Sequence, residues 1–246
     1  MNASVLKRSW PIAKEMTTTT VKFVLVAWGI ILGILAVGLS IYAMSAQPEV
    51  SVADFATHAP RYWIGGWAIA ITVVMLRSYV AIGYTRSEYY VGLAVAGVAM
   101  SLSAAAAMTV TLGLETGLYA VMGWDNSITD GGSSHLYAAN SQLGLAFAET
   151  SVIYAGHMAA GILIGAIYNR IHNVVVATCL AVASYAFAAL AEATVGSGWP
   201  GVIMGLTGQM EPSALTGVVG GALTVGAALT LGWFVIRHAP IRTKRA

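Results

Sequence analysis

Six stretches of this chain run almost without charge: Phe23–Met44, Tyr62–Leu76, Tyr89–Leu112, Gly144–Tyr168, Val174–Ala193 and Ser213–Ile236. A helix crosses the roughly 30 Å hydrocarbon core of a bilayer with about 20 predominantly apolar residues. The runs are continuous rather than alternating, which predicts helices and disfavours a β-barrel. Tyr62–Leu76 is the shortest, stopping at Arg77, but apolar character resumes at Tyr79–Ile82. That helix is expected to run on, with Arg77 snorkelling toward the interface. Between the runs, Asn169–Asn173 is short enough for a tight hairpin. Gly113–Leu143 and Thr194–Pro212 are longer and rich in turn formers, with Trp124 and Trp199 as interface anchors. The expectation is an all-α polytopic membrane protein, with residues 1–246 forming a single transmembrane domain of six helices.

Composition agrees with the pattern. The chain is 58% hydrophobic and only 9% charged, with a mean hydropathy of +0.76, against about 25% charged residues in soluble domains. So few charges exclude an ordinary soluble enzyme, a disordered chain and a nucleic-acid binder. Orientation is read from Lys and Arg. With the N-terminus in the cytoplasm, eleven of the twelve basic residues fall on that side, and Arg61 is alone outside. Glu49, Asp54, Glu115, Asp125, Asp130 and Glu211 fall outside, while Glu15 and Glu88 are inside. Both termini are therefore expected in the cytoplasm. The first apolar run is too long for a signal-peptide core and reads as a retained span.

Several kinds of chemistry are missing. There is no phosphate-binding GxxxxGK[ST] loop, no HExxH, no CxxC and no GxSxG. Cys179, the single cysteine, lies in an apolar run and has no disulfide partner within the chain. Of five histidines only His157 sits at mid-membrane depth, so no facing pair of haem ligands forms. No cofactor or metal is expected in this chain. His157 reads as a packed polar residue bonded to a neighbouring helix, or as a residue lining a path. Glu149 and Glu192 lie toward the outer ends of their spans. They read either as carboxylates reaching headgroup water or as residues of a substrate path or coupling. Gly161 and Gly165 form a GxxxG, and Gly217, Gly220, Gly221 and Gly226 cluster in the last span; these are expected to be packing faces.

The segment Met75–Gly92, MLRSYVAIGYTRSEYYVG, is the most informative. Gly83 permits a sharp bend. Thr85 can cap the following helix, with Glu88 three residues later as a capping box requires. Tyr84, Tyr89 and Tyr90 offer aromatic bodies with polar tips. The result is a short polar elbow between two spans, either a simple re-entry turn or a knob for a partner.

The run Gly83-Tyr84-Thr85-Arg86-Ser87-Glu88-Tyr89-Tyr90 resembles a motif of small bacterial ABC-2-type ABC transporter permeases, with Ser87 in place of a second basic residue. GILIGAIYNR at the end of span 4 and the closing LGWFVIRHAPIRTKRA fit the same resemblance. It implies a multi-pass subunit of the bacterial cell membrane, paired with a second copy of itself or a related permease. It also implies a separate cytoplasmic ABC ATPase subunit that binds ATP and Mg. Tyr84, Thr85, Arg86, Glu88 and Tyr89 would form the elbow that couples to that ATPase, and export would be the direction of transport. The expected surroundings are membrane lipid, without nucleic acid. The alternatives are a structural or regulatory membrane subunit that does not transport, and a membrane-embedded enzyme or redox subunit.

Overall fold

The computed structural model describes residues 3–45, 48–128, 135–196 and 213–239. Among them the chain is all-helical, with six helical segments long and apolar enough to cross a membrane. Its elements are α1 (Ala3–Ser45), α2 (Val52–Ala56), α3 (His58–Ala81), α4 (Arg86–Met122), α5 (Leu143–Arg170), α6 (Val174–Ser184), α7 (Ala186–Thr194) and α8 (Ala214–Ile236). Trp199, Asp130, Glu211 and the basic residues Arg242, Lys244 and Arg245 lie outside the described residues.

Helix α5 is the axis of the bundle. Every residue from Gly156 to Ile167 is buried, and α3, α4, α6, α7 and α8 all pack on it. A helix surrounded on all sides needs small residues wherever a neighbour crosses closely. A Cβ on Gly161 would meet the Gly65 carbonyl oxygen and the Ala68 Cβ of α3; one on Gly165 would lie 2.6 Å from the Thr72 Cβ. The GxxxG of Gly161 and Gly165 is thus the α3–α5 crossing within this chain. On its other side, Gly156 admits Ala191 of α7, and Gly221 of α8 admits Val152.

Two helices extend beyond the apolar runs. Helix α1 starts twenty residues before Phe23 and is 43 residues long, about 64 Å at 1.5 Å per residue. Its early half carries a buried stripe of Ser9, Ile12, Ala13, Met16, Thr20, Val24 and Trp28, spaced for one helical face. That face packs on α4, where Gly92 leaves room for Ile12. Helix α4 continues ten residues past Leu112, with Glu115 and Tyr119 turned inward, and ends at Gly123 with φ +68°. The fifth segment is broken rather than continuous: Tyr185 separates α6 from α7.

Candidate functional site

The elbow joins α3 to α4 through a connection closed by hydrogen bonds from both sides. As expected, α3 runs through Arg77 to Ala81. Gly83 then takes φ +97°, its N–H donates to Val80 O at 3.1 Å, and the Tyr84 N–H donates to Tyr79 O at 3.1 Å. This is a Schellman motif, and its customary apolar contact is the Tyr79–Tyr84 ring pair, with centroids 5.9 Å apart. Thr85 begins α4 at once. Its hydroxyl accepts from the Glu88 N–H at 3.2 Å, and the Glu88 carboxylate accepts from the Thr85 N–H at 2.8 Å, completing the capping box. Glu88 also pairs with Arg8 Nε at 3.1 Å, and Arg8 Nη2 donates to Gly83 O at 3.4 Å. The first turns of α1 therefore brace the elbow.

Of the five residues singled out in this segment, Thr85 is exposed and Tyr84 and Arg86 are half-buried; Glu88 and Tyr89 face the protein interior. The Tyr89 hydroxyl donates to Ile71 O at 2.9 Å, while Glu88 is occupied by Thr85 and Arg8. Arg86 makes no ion pair among the described residues, and its Nε is buried without a partner. The exposed apex consists of Ala81, Ile82, Gly83 and Thr85.

Away from the elbow the three polar residues singled out are all enclosed, His157 at the middle of α5 and the two glutamates nearer the opposite end. Glu192 of α7 accepts from Arg61 Nη1 of α3 at 2.7 Å, and both side chains are buried. His157 of α5 lies beside them. Its Nδ1 is 3.0 Å from the Ile153 carbonyl, so that nitrogen carries the proton. Its Nε2 then accepts from the Tyr185 hydroxyl at 2.9 Å, and the same Nε2 is 3.5 Å from Glu192 Oε1. Arg61, His157 and Glu192 are thus brought together from three helices, at the break between α6 and α7. Glu149 is separate from this group. Its carboxylate holds His135 Nδ1 at 2.7 Å and accepts from the Leu136 N–H at 2.7 Å.

Two further carboxylates at this end form ties that sequence reasoning missed. Glu115 of α4 accepts from the Ser51 hydroxyl and from the N–H groups of Val52 and Ala53 at 2.8 and 3.0 Å. It thereby satisfies the start of α2. Asp54 of α2 accepts from the Tyr137 hydroxyl at 2.7 Å. Burial, reinforced by Asp54 and Glu149, pushes the Tyr137 hydroxyl pKa far above its ordinary value, so it remains a donor. The one sequence signal was Arg61, the lone cation among outer acids; nothing local pointed to a partner 131 positions away.

The fold and these two clusters define a helical bundle with six segments long and apolar enough to cross a membrane, braced at the elbow and tied by buried carboxylates at the other end. No family model, characterised protein or solved structure matches the chain.

Proposed function

We propose that this chain is the membrane-spanning permease subunit of an ATP-driven ABC exporter, with six spans, both termini in the cytoplasm and hydrolysis in a separate ATPase subunit. Two permease chains, identical or related, would enclose the path. The observation that carries this reading is the elbow. It is exposed at its apex, yet fixed by a Schellman motif, a capping box and Arg8. A partner that displaces it would move α4 as a rod rather than bend a slack loop. The far end of that rod holds α2 through Glu115, which gives motion at the elbow a route to the opposite face.

Charge supports the orientation. Lys7, Arg8, Arg77, Arg86, Arg170 and Arg237 all lie toward the elbow end, whereas Arg61 at the other end is neutralised by Glu192. That asymmetry favours an elbow facing the cytoplasm. The elbow must bind the ATPase differently in its nucleotide states, since only differential binding shifts a conformational equilibrium.

The test is affinity purification of the tagged chain from its native membranes, together with thiol labelling of Gly83→Cys in sealed vesicles of known sidedness. The expected result is a co-purifying ATPase, less of it with Ile82→Asp, and labelling from the cytoplasmic side. Assemblies without an ATPase, or labelling from the outside alone, would overturn the proposal.

A further inference from the structure

The first turns of α1 and the elbow do not close on each other completely. Between them lies a groove of about 450 Å³ lined by Lys7, Arg8 and Pro11 on one side and Ile82, Gly83 and Tyr84 on the other. We infer that this groove binds the phosphate of an anionic phospholipid from the leaflet at the elbow end.

Arg8 is placed for that role before any ligand arrives. A guanidinium has five N–H donors. Here Nε is committed to Glu88 and one terminal N–H to Gly83 O, which fixes the plane of the group. The side chain nevertheless remains 58% exposed, so its other N–H groups are open to the groove. A planar fork of this kind matches phosphate oxygens. Lys7, next in the chain, is exposed and makes no hydrogen bond or ion pair among the described residues, leaving a mobile point charge at the mouth.

The balance of charge points the same way. Glu88 is satisfied by Thr85 and Arg8, and Glu15, nearer the middle of the helix, accepts the Tyr79 hydroxyl at 3.4 Å. Around them stand Lys7, Arg8, Lys14, Arg77 and Arg86, of which only Arg8 has a carboxylate partner among the described residues. A surface with this excess attracts an anionic headgroup.

The apolar flanks decide between a lipid and an acidic protein segment. Leu6, Trp10 and Ile82 are 49%, 65% and 72% exposed. Leu6 and Trp10 are one helical turn apart and share a face beside Lys7 and Pro11. An acidic protein segment in the groove would leave them in water. A phospholipid places its acyl chains along them and its phosphate between Lys7 and Arg8, with Trp10 and Tyr84 at the depth aromatic side chains favour. The inference requires phospholipid but not transport, so lipid retention can succeed where ATPase capture fails.

The test is native mass spectrometry of the purified full chain after equilibration with micelles holding equal phosphatidylglycerol and phosphatidylcholine. The wild type is expected to retain phosphatidylglycerol preferentially. Lys7→Gln should weaken that retention about fivefold, the effect of one basic residue at an anionic surface. Lys7→Arg should restore it, and Arg8→Lys, which keeps the charge but loses the fork, should weaken it. Unchanged helical circular dichroism establishes that the variants fold. Equal retention of the two lipids, or wild-type preference in Lys7→Gln, overturns the inference. Displacement of the lipid by an equal concentration of soluble glycerol phosphate overturns the lipid assignment in favour of a free phosphate ligand.

Discussion

Removing Glu192 should damage this protein more than removing almost any other single side chain. Glu192→Ala leaves the Arg61 guanidinium buried with no carboxylate, because His157 beside it presents a neutral ring whose Nε2 already accepts from Tyr185. Breaking a buried ion pair from one side costs about 3–5 kcal/mol in soluble proteins. The lower figure applies here, since Arg61 is in the first turn of α3 and can lift part of its charge toward the interface. About 3 kcal/mol is roughly a hundredfold shift in the unfolding equilibrium. Glu192→Gln keeps an acceptor for Arg61 and should cost about 2 kcal/mol, within the range for a hydrogen bond to a charged group. Arg61→Leu with Glu192→Leu removes both charges and fills the space, and should return to within about 1 kcal/mol of the wild type. The measurement is denaturant unfolding in detergent micelles, followed by helical circular dichroism, for the two Glu192 variants above, for Arg61→Leu and Glu192→Leu singly, and for the double variant that closes the cycle. Single variants that each cost under about 1 kcal/mol and simply add in the double would refute the tie between α3 and α7.

Three other outcomes follow from the packing and the caps. Gly161→Val should cost about 1–3 kcal/mol and loosen α3 from α5, because its side chain would meet Gly65 and Ala68; Gly33→Ala, with nothing within 4 Å, should be neutral or slightly stabilising in the same unfolding assay. Glu88→Ala should destabilise by about 1–2 kcal/mol through loss of the cap and of Arg8, and Thr85→Ala by about 1 kcal/mol, whereas Arg86→Ala should stay within about 0.5 kcal/mol. A stability loss confined to Arg86 would contradict the observed orientation of these side chains. Glu115→Ala should release α2 without disturbing the elbow, seen as faster hydrogen exchange at Val52 and Ala53 and unchanged exchange at Thr85.

What the chain discloses by itself is whatever depends on neighbours in sequence. The apolar runs mark all six membrane-length helical segments, because a segment of that length needs a sustained apolar run, but they do not disclose the break between α6 and α7. The elbow is legible for the same reason: Gly83, Thr85 and Glu88 act on backbone groups within a few positions, so their spacing alone specifies the turn and the cap. Tertiary structure decides everything that depends on which surfaces meet. The early half of α1 is too polar to register as an apolar run, and is braced on α4 through its buried stripe, with Gly92 admitting Ile12. Glu88 and Tyr89 belong to the elbow in sequence but turn inward, since Arg8 and Ile71 supply partners there. Glu149 and Glu192 stand near helix ends, where sequence allows them to reach water. Instead His135 with Leu136, and Arg61, enclose them. A charge in a low-dielectric interior takes whichever hydrogen-bond donors or opposite charge folding delivers, and sequence distance carries no information about which these are.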